Sequence, residues 1–130
     1  MAYVLSFREL EVYKASRELS AKVFVLSKRF PRDEMYSLTD QIRRSSRSIG
    51  AQIAEAWGKR PYLKHFISKL TDADGEQLET QHWIETARDC DYIDTNESTI
   101  LLSLCESIGK MLNAMIAKAD RFCLKPIPEH

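Results

Sequence analysis

The chain has 130 residues, 19 basic and 19 acidic, so its net charge is zero; 44% of its residues are hydrophobic, and glycines and prolines number four each. That length and composition fit one domain with a real core, exclude two independent cores, and argue against a disordered chain or a glycine-rich barrel. Overall neutrality removes the electrostatic signature of a dedicated nucleic-acid binder, so any such role must rest on a local patch.

The first helix is predicted over residues 6–29. Ser6-Phe7-Arg8-Glu9 has the capping-box form, and Leu5 stands where a hydrophobic staple to Leu10 would begin. Val12, Ala15, Leu19, Val23, Leu26 and Phe30 recur at three- and four-residue steps, Tyr13 and Phe24 widen the stripe, and Pro31 ends it. The second helix is predicted over 34–57, with Met35, Leu38, Ile42, Ser45, Ile49, Ile53 and Ala56 facing inward and Gly58 closing it. Gly50 in its interior costs about 1 kcal/mol relative to alanine, so a close backbone approach or a bend is expected there.

Pro61 suits the first turn of a third helix over 61–89. Its apolar side reads Leu63, Phe66, Ile67, Leu70, Ala73, Gln77, Leu78, Ile84 and Ala87, interrupted by Gly75. Asp94-Thr95-Asn96-Glu97 repeats the capping-box pattern for a fourth helix over 95–123, with the most sustained apolar stripe in the chain; residues 124–130 read as a tail. Four long amphipathic helices with short links predict an all-α, antiparallel up-and-down four-helix bundle in a single domain.

Charge is unevenly placed. From Arg43 to Lys64 there are six basic residues and one acidic one; from Asp72 to Glu97 there are nine acidic residues against Arg88 alone. Arg43, Arg47, Lys59, Arg60 and Lys64 are the candidates for contacting phosphates. Arg44 is read as a structural partner for Glu55 or Glu79, because its flank borders the apolar stripe. Glu55, alone among Ile53, Ala54, Ala56 and Trp57, would be costly to bury unless paired, with Arg47, Lys59 and Arg60 as local partners. Trp57, Tyr36, Tyr62, Asp72 and Glu76 are interface candidates: Trp57 as a helix-end anchor, the tyrosines as apolar excess, and the acidic pair as a face for a neighbouring subunit's basic end.

Catalytic and metal chemistry find little support. Glu79-Thr80-Gln81-His82 matches half of a di-iron carboxylate site, without the second copy that such a site needs. His65, His82 and His130 have no sequence-linked nucleophile, and no phosphate-loop or dinucleotide fingerprint occurs, so neither enzyme activity nor a cofactor is expected. Cys90, Cys105 and Cys123 lack motif spacing. With no visible secretory leader and no apolar run near the roughly 20 residues that span a bilayer, a cytoplasmic protein without membrane association is expected.

Four segments carry a family resemblance that covers about residues 6–123: Phe7–Ala15, Phe30–Arg44, Ser48–Ala56 followed by Arg60, and Leu78–Gln81. Ser48-Ile49-Gly50-Ala51-Gln52-Ile53-Ala54-Glu55-Ala56 is similar to a Ser-(Ile/Val)-Pro-x-Asn-Ile-Ala-Glu-Gly motif, and Leu78-Glu79-Thr80-Gln81 to the end of a Glu-Leu-Glu-Thr-Gln motif. The chain thus resembles the four-helix-bundle family encoded in intervening sequences of bacterial 23S ribosomal RNA genes. More distantly, it resembles the accessory protein of diversity-generating retroelements, a pentameric bundle whose basic surface engages nucleic acid. Gly50, Gln52, Ala56 and Gln77 depart from the family's Pro, Asn, Gly and Glu. The resemblance implies a left-handed bundle assembling as a homopentamer, and it implies no enzyme activity. Two functional readings follow: an oligomeric module that binds RNA or DNA through Arg43–Lys64, or a scaffold that binds only protein, itself included.

Overall fold

In a computed structural model, which describes residues 4–123, four long helices are joined by short links. They are α1 (Glu11–Ser27), α2 (Asp40–Gly58), α3 (Leu63–Asp89) and α4 (Thr95–Ala117), with a terminal turn α5 (Ala119–Phe122). Each packs on the next and α4 returns to α1, the arrangement of an up-and-down bundle. Leu19 and Val23 of α1, Ile42, Ile49 and Ile53 of α2, Phe66, Leu70 and Ile84 of α3, and Leu101, Ile108 and Leu112 of α4 are fully buried. Each such side chain contributes about 1.5–3 kcal/mol by leaving water. α4 alone among the described helices has the length and apolarity of a membrane span. Its apolar residues form part of the bundle core, while Glu106 and Lys110 stand on its exposed side.

The helix ends differ from the pattern-based expectation in four places. Ser6 caps a single 3-10 turn, Phe7–Glu9, rather than a long helix: its Oγ accepts from the Arg8 amide at 3.2 Å, and Glu9 reaches back to the Leu5 amide at 2.8 Å. Leu10 then adopts an extended conformation and is buried, so α1 starts at Glu11. Leu5 is 82% exposed and forms no staple with Leu10.

The second helix is entered through a 3-10 turn at Arg32–Glu34 and a π-helical turn at Met35–Thr39. The wider π turn shifts the phase, burying Leu38 and Thr39 and leaving Met35 exposed instead of inward. Pro61 lies before α3 rather than in its first turn, because the Tyr62 amide closes a turn onto the Lys59 carbonyl at 2.9 Å and Tyr62 caps the helix. α4 breaks at Lys118 before its final turn. The tail expected over 124–130 lies outside the described residues.

Two glycines behave oppositely. A Cβ on Gly50 would lie 3.1 Å from Ser16 Oγ and 3.5 Å from Tyr13 Cε1, so this glycine is where α1 closes on α2. A Cβ on Gly109 would lie 2.8 Å from Nε2 of buried Gln77, whose amide is already bonded to Asp74 and whose carbonyl accepts from Gln81. With Gln77 taking that inward position, Leu78, expected on the apolar face, points outward.

The bundle end opposite the α2–α3 link is tied by polar contacts. Arg29 donates to both oxygens of Glu97 at 2.8 Å, and Tyr92 donates to Glu34 at 2.8 Å. Asp91, at φ 61°, closes α3 in the left-handed cap in which the Tyr92 amide bonds the Ala87 carbonyl and the Asp91 amide bonds the Arg88 carbonyl. At the start of α4 the capping box is complete: Asp94 accepts from the Glu97 amide and Glu97 from the Asp94 amide.

Hydrogen bonds from Arg29 and from the Asp94 backbone hold the Glu97 carboxyl below its ordinary range. A folded-state value below the unfolded one stabilises the fold above the ordinary carboxylate value of about 4.3, and that stabilisation disappears as pH falls through the folded value. Glu97→Gln is therefore expected to melt below the wild type at pH 7, with the gap closing below about pH 4. A gap that stays constant on acidification in a thermal-melt series would refute this linkage.

Candidate nucleic-acid interface

α2 sorts its basic residues by helical phase. On the side facing α3, Arg44 sits between two carboxylates, 3.2 Å from Glu76 and bonded also to Glu79. Ser45 and Thr80 share a buried 2.9 Å hydrogen bond one residue along. Ten residues later, Glu55 pairs with Lys69 at 2.8 Å, eleven residues earlier on α3, as antiparallel helices require. Burial alone would lower the Arg44 guanidinium, but the hydrogen bond and charge of Glu79 with the charge of Glu76 outweigh it and raise it. Lys69 is likewise raised by its bond to Glu55. Glu55 is exposed rather than enclosed, and it uses Lys69 instead of Arg47, Lys59 or Arg60.

On the side facing α1, Arg43 and Arg47 meet α1 at Phe24. Lys28 Nζ, Arg43 Cζ and Arg47 Cζ lie 4.7, 4.8 and 5.4 Å from the centre of that one ring. Arg43 Nε donates to Ser27 Oγ at 2.7 Å, which anchors its guanidinium over the α1–α2 seam. About two turns back along α1 from Phe24, Arg17 stands 6.0 Å from the Tyr13 ring, and a cleft of about 290 Å³ opens between Arg17 and Arg47 over Gly50, Ala51 and Ala54. Among the described residues, Arg17, Lys28, Arg43 and Arg47 make no ion pair.

Three like charges around one ring repel one another. Each cation–π contact returns only about 0.5–1 kcal/mol at an exposed site, so the ridge is a site of unspent positive potential. From Arg17 to Lys28 it runs about 16 Å along α1.

Arg17 and Lys28 were absent from the sequence-based set, although a signal for them exists. Tyr13, Arg17, Ser20, Phe24 and Lys28 fall on one helical face, just as Arg43, Arg47, Gly50 or Ala51, and Ala54 do on α2. What hid the site is that its two halves lie on different helices.

The remaining basic candidates stand apart. Lys59, Arg60 and Lys64 lie at the α2–α3 link, roughly 18 Å or more beyond Arg47 along the helix axis. Arg60 stacks 3.7 Å from the Trp57 ring and donates to the Trp57 carbonyl, while Lys59 and Lys64 are exposed. Trp57 is half-buried against the core beneath that guanidinium. Tyr36 and Tyr62 are 85% and 61% exposed at opposite ends of the bundle; Asp72 is exposed and Glu76 is engaged by Arg44. Among the other aromatics, Phe7 packs edge-on to Tyr13, and Tyr92 against Phe30.

Glu79 also accepts from Trp83 Nε1, and His82 is exposed beside Trp83. No cluster of three or more metal-ligating side chains occurs among the described residues. Burial pushes the Cys105 thiol up to about 12, which keeps it a packed, protonated side chain. A separate apolar groove of about 380 Å³ lies between α1 and α4, lined by Ala21, Val25, Leu26, Ile100 and Leu101 with Lys22 and Glu97 at its rim.

Residues 8–114 match the 23S rRNA-intervening sequence protein family. The chain belongs to that family. A solved structure of a protein of unknown function from the S23 ribosomal protein family of Bacteroides thetaiotaomicron VPI-5482 is similar to it at 30% identity, with a TM-score of 0.73. That similarity covers 81% of this chain and 97% of the Bacteroides chain. A comparison with curated proteins returns no match. Neither the matched family nor the Bacteroides structure is described as the retroelement accessory protein, so that more distant resemblance rests on the sequence motifs alone. Within the family frame, Glu79 and Thr80 of the third-helix motif bind Arg44 and Ser45, and Glu55 of the second-helix motif binds Lys69: these motif residues join α2 to α3.

The two classes of arginine separate in a stability measurement. Arg44→Gln, which leaves Glu76 and Glu79 facing each other, is expected to cost up to about 1 kcal/mol, the range of a partly exposed pair. Arg47→Gln is expected to change stability by less than about 0.5 kcal/mol, because it breaks no ion pair and relieves repulsion. Urea unfolding of both variants checks this, and equal losses would erase the distinction.

Proposed function

We propose that this family member is a non-enzymatic, homo-oligomeric bundle that binds RNA or DNA through the basic ridge between α1 and α2. The observation that carries this reading is the convergence of Lys28, Arg43 and Arg47 on Phe24, continued by Arg17, without a carboxylate partner among the described residues. A polyanion relieves that repulsion, and release of its counterions drives binding. Neutral net charge is compatible with this, because the acidic residues of α3 are used at its seam with α2 or stand on other faces. The distant resemblance to the retroelement accessory protein supports the same partner class. Glu79 is occupied by Arg44 and Trp83, which supports a structural rather than catalytic use of that carboxylate. Free Cys90, exposed at the surface, suits a reducing cytoplasm.

Fluorescence anisotropy with labelled RNA or DNA tests the ridge. Binding is expected at about 50 mM salt and is expected to fall steeply by about 200 mM. The combined variant Arg17→Gln, Lys28→Gln, Arg47→Gln should reduce the slope of log affinity against log salt by about 2. Lys59→Gln with Lys64→Gln should leave the slope unchanged in this reading. Absence of wild-type binding at low salt, or an unaltered slope in the triple variant, refutes the ridge.

The rival reading, a self-assembling scaffold, is favoured by one observation: the α1–α4 groove, where Val25 and Ile100 are 63% and 49% exposed. We propose that this face mediates assembly, as a pentamer in keeping with the family resemblance. Light scattering is expected to give about five times the 15.0 kDa of one chain. Val25→Glu with Ile100→Glu should reduce the mass to that of one chain while helical content persists. A wild-type protein already at 15.0 kDa would refute the assembly.

A further inference from the structure

We infer that the cleft between α1 and α2 receives one unstacked nucleotide, so that the ligand of the basic ridge is a single-stranded nucleic acid. This deepens the phosphate-binding reading above and rests on it. The ridge has two chemically different halves. Around Phe24, three cations already crowd the ring within 5.4 Å of its centre and compete with a base for it. Around Tyr13 the arrangement is open: Phe7 meets Tyr13 edge-on, with ring centres 4.9 Å apart and planes at 79°, and a single cation, Arg17, stands 6.0 Å away.

The cleft beside Tyr13, about 290 Å³, is close to the smallest volume that holds a small ligand, about 300 Å³. It exists because, beyond Arg47, the α2 wall carries the small residues Gly50, Ala51 and Ala54, and a Cβ on Gly50 would press to within 3.1 Å of Ser16 Oγ.

The polar groups at the rim match a nucleotide's parts. Arg17 and Arg47 flank the opening and offer guanidinium forks to the phosphates on either side of an inserted residue. Ser16 and Ser20 donate their hydroxyl protons to the Tyr13 and Arg17 carbonyls, at 2.6 and 3.1 Å. Ser16 is buried beneath Gly50, so the acceptor left at the cleft is the oxygen of half-buried Ser20, suited to a base amino group or a ribose hydroxyl. The Tyr13 ring supplies a sequence-tolerant stacking surface. Bases in a duplex are already paired and stacked, so a duplex meets only the cations of the ridge and forgoes the cleft.

The test compares a short labelled single strand of mixed sequence with its duplex, using the wild-type protein and two variants. Tyr13→Leu removes the ring while keeping an apolar wall. Ala51→Met fills the mouth from an exposed helical position where methionine is well tolerated, so it keeps the fold even if the first variant loses it. The wild type should bind the single strand about tenfold more tightly than the duplex. Each folded variant should lose most of that preference, with the duplex affinity and the salt slope unchanged.

Equal wild-type affinities for strand and duplex, or a preference retained in Ala51→Met, overturn the nucleotide cleft and leave the phosphate ridge standing. Complete absence of nucleic-acid binding overturns both. An equimolar nucleoside monophosphate that displaces the strand identifies a free-nucleotide site instead and overturns the single-strand assignment.

Discussion

The seam between α2 and α3 determines how every other face of the bundle is presented. Arg44 between Glu76 and Glu79, Ser45 on Thr80, and Glu55 on Lys69 lock the rotation of α2 about its own axis. With about 100° between successive helical residues, an Arg44 held toward α3 places Arg43 about 100° and Arg47 about 60° round the helix to the same side, on the flank where α1 lies. The energy of these exposed pairs is modest, but their geometric consequence is large. They decide which arginines are consumed by the fold and which remain on the surface.

Charge balance over the whole chain therefore conceals a division of labour. The acidic residues that offset the basic ones in the total are used unevenly: Glu76 and Glu79 by Arg44, Glu55 by Lys69, and Glu97 by Arg29 and the α4 cap. Along the α1–α2 seam Arg17, Lys28, Arg43 and Arg47 have no such partner among the described residues. Phe24 and Ser27 hold the side chains of Lys28, Arg43 and Arg47 in place without neutralising them, and positive potential concentrates on one face of a neutral protein. Gly50 completes the face by letting α1 approach while leaving space beside Tyr13.

Much of this architecture was legible from residue spacing. Helix identity and number followed from apolar periodicity, because burying one face of a helix imposes the same three- and four-residue steps whatever its partner. The cap at Asp94–Glu97 followed because both hydrogen bonds are local. The π turn at Met35–Thr39 and the break at Leu10 did not follow, since they answer to packing that distant residues supply. Arg44 could be assigned a structural role from its position at the edge of the stripe. Lys69 could not be named as the partner of Glu55, because that pair depends on the register between α2 and α3 rather than on spacing within one helix.

By itself, the sequence determined the four helices, their antiparallel order, the family, and the excess of positive charge on α2. All of these depend on neighbours within a few residues, or on patterns that repeat along one helix. Only the tertiary structure decided that Arg43 and Arg47 join Arg17 and Lys28 while Lys59, Arg60 and Lys64 are left at the far end. That choice depends on the rotation and register of α2 between two neighbours, set by side-chain contacts across the bundle that no single-helix pattern contains.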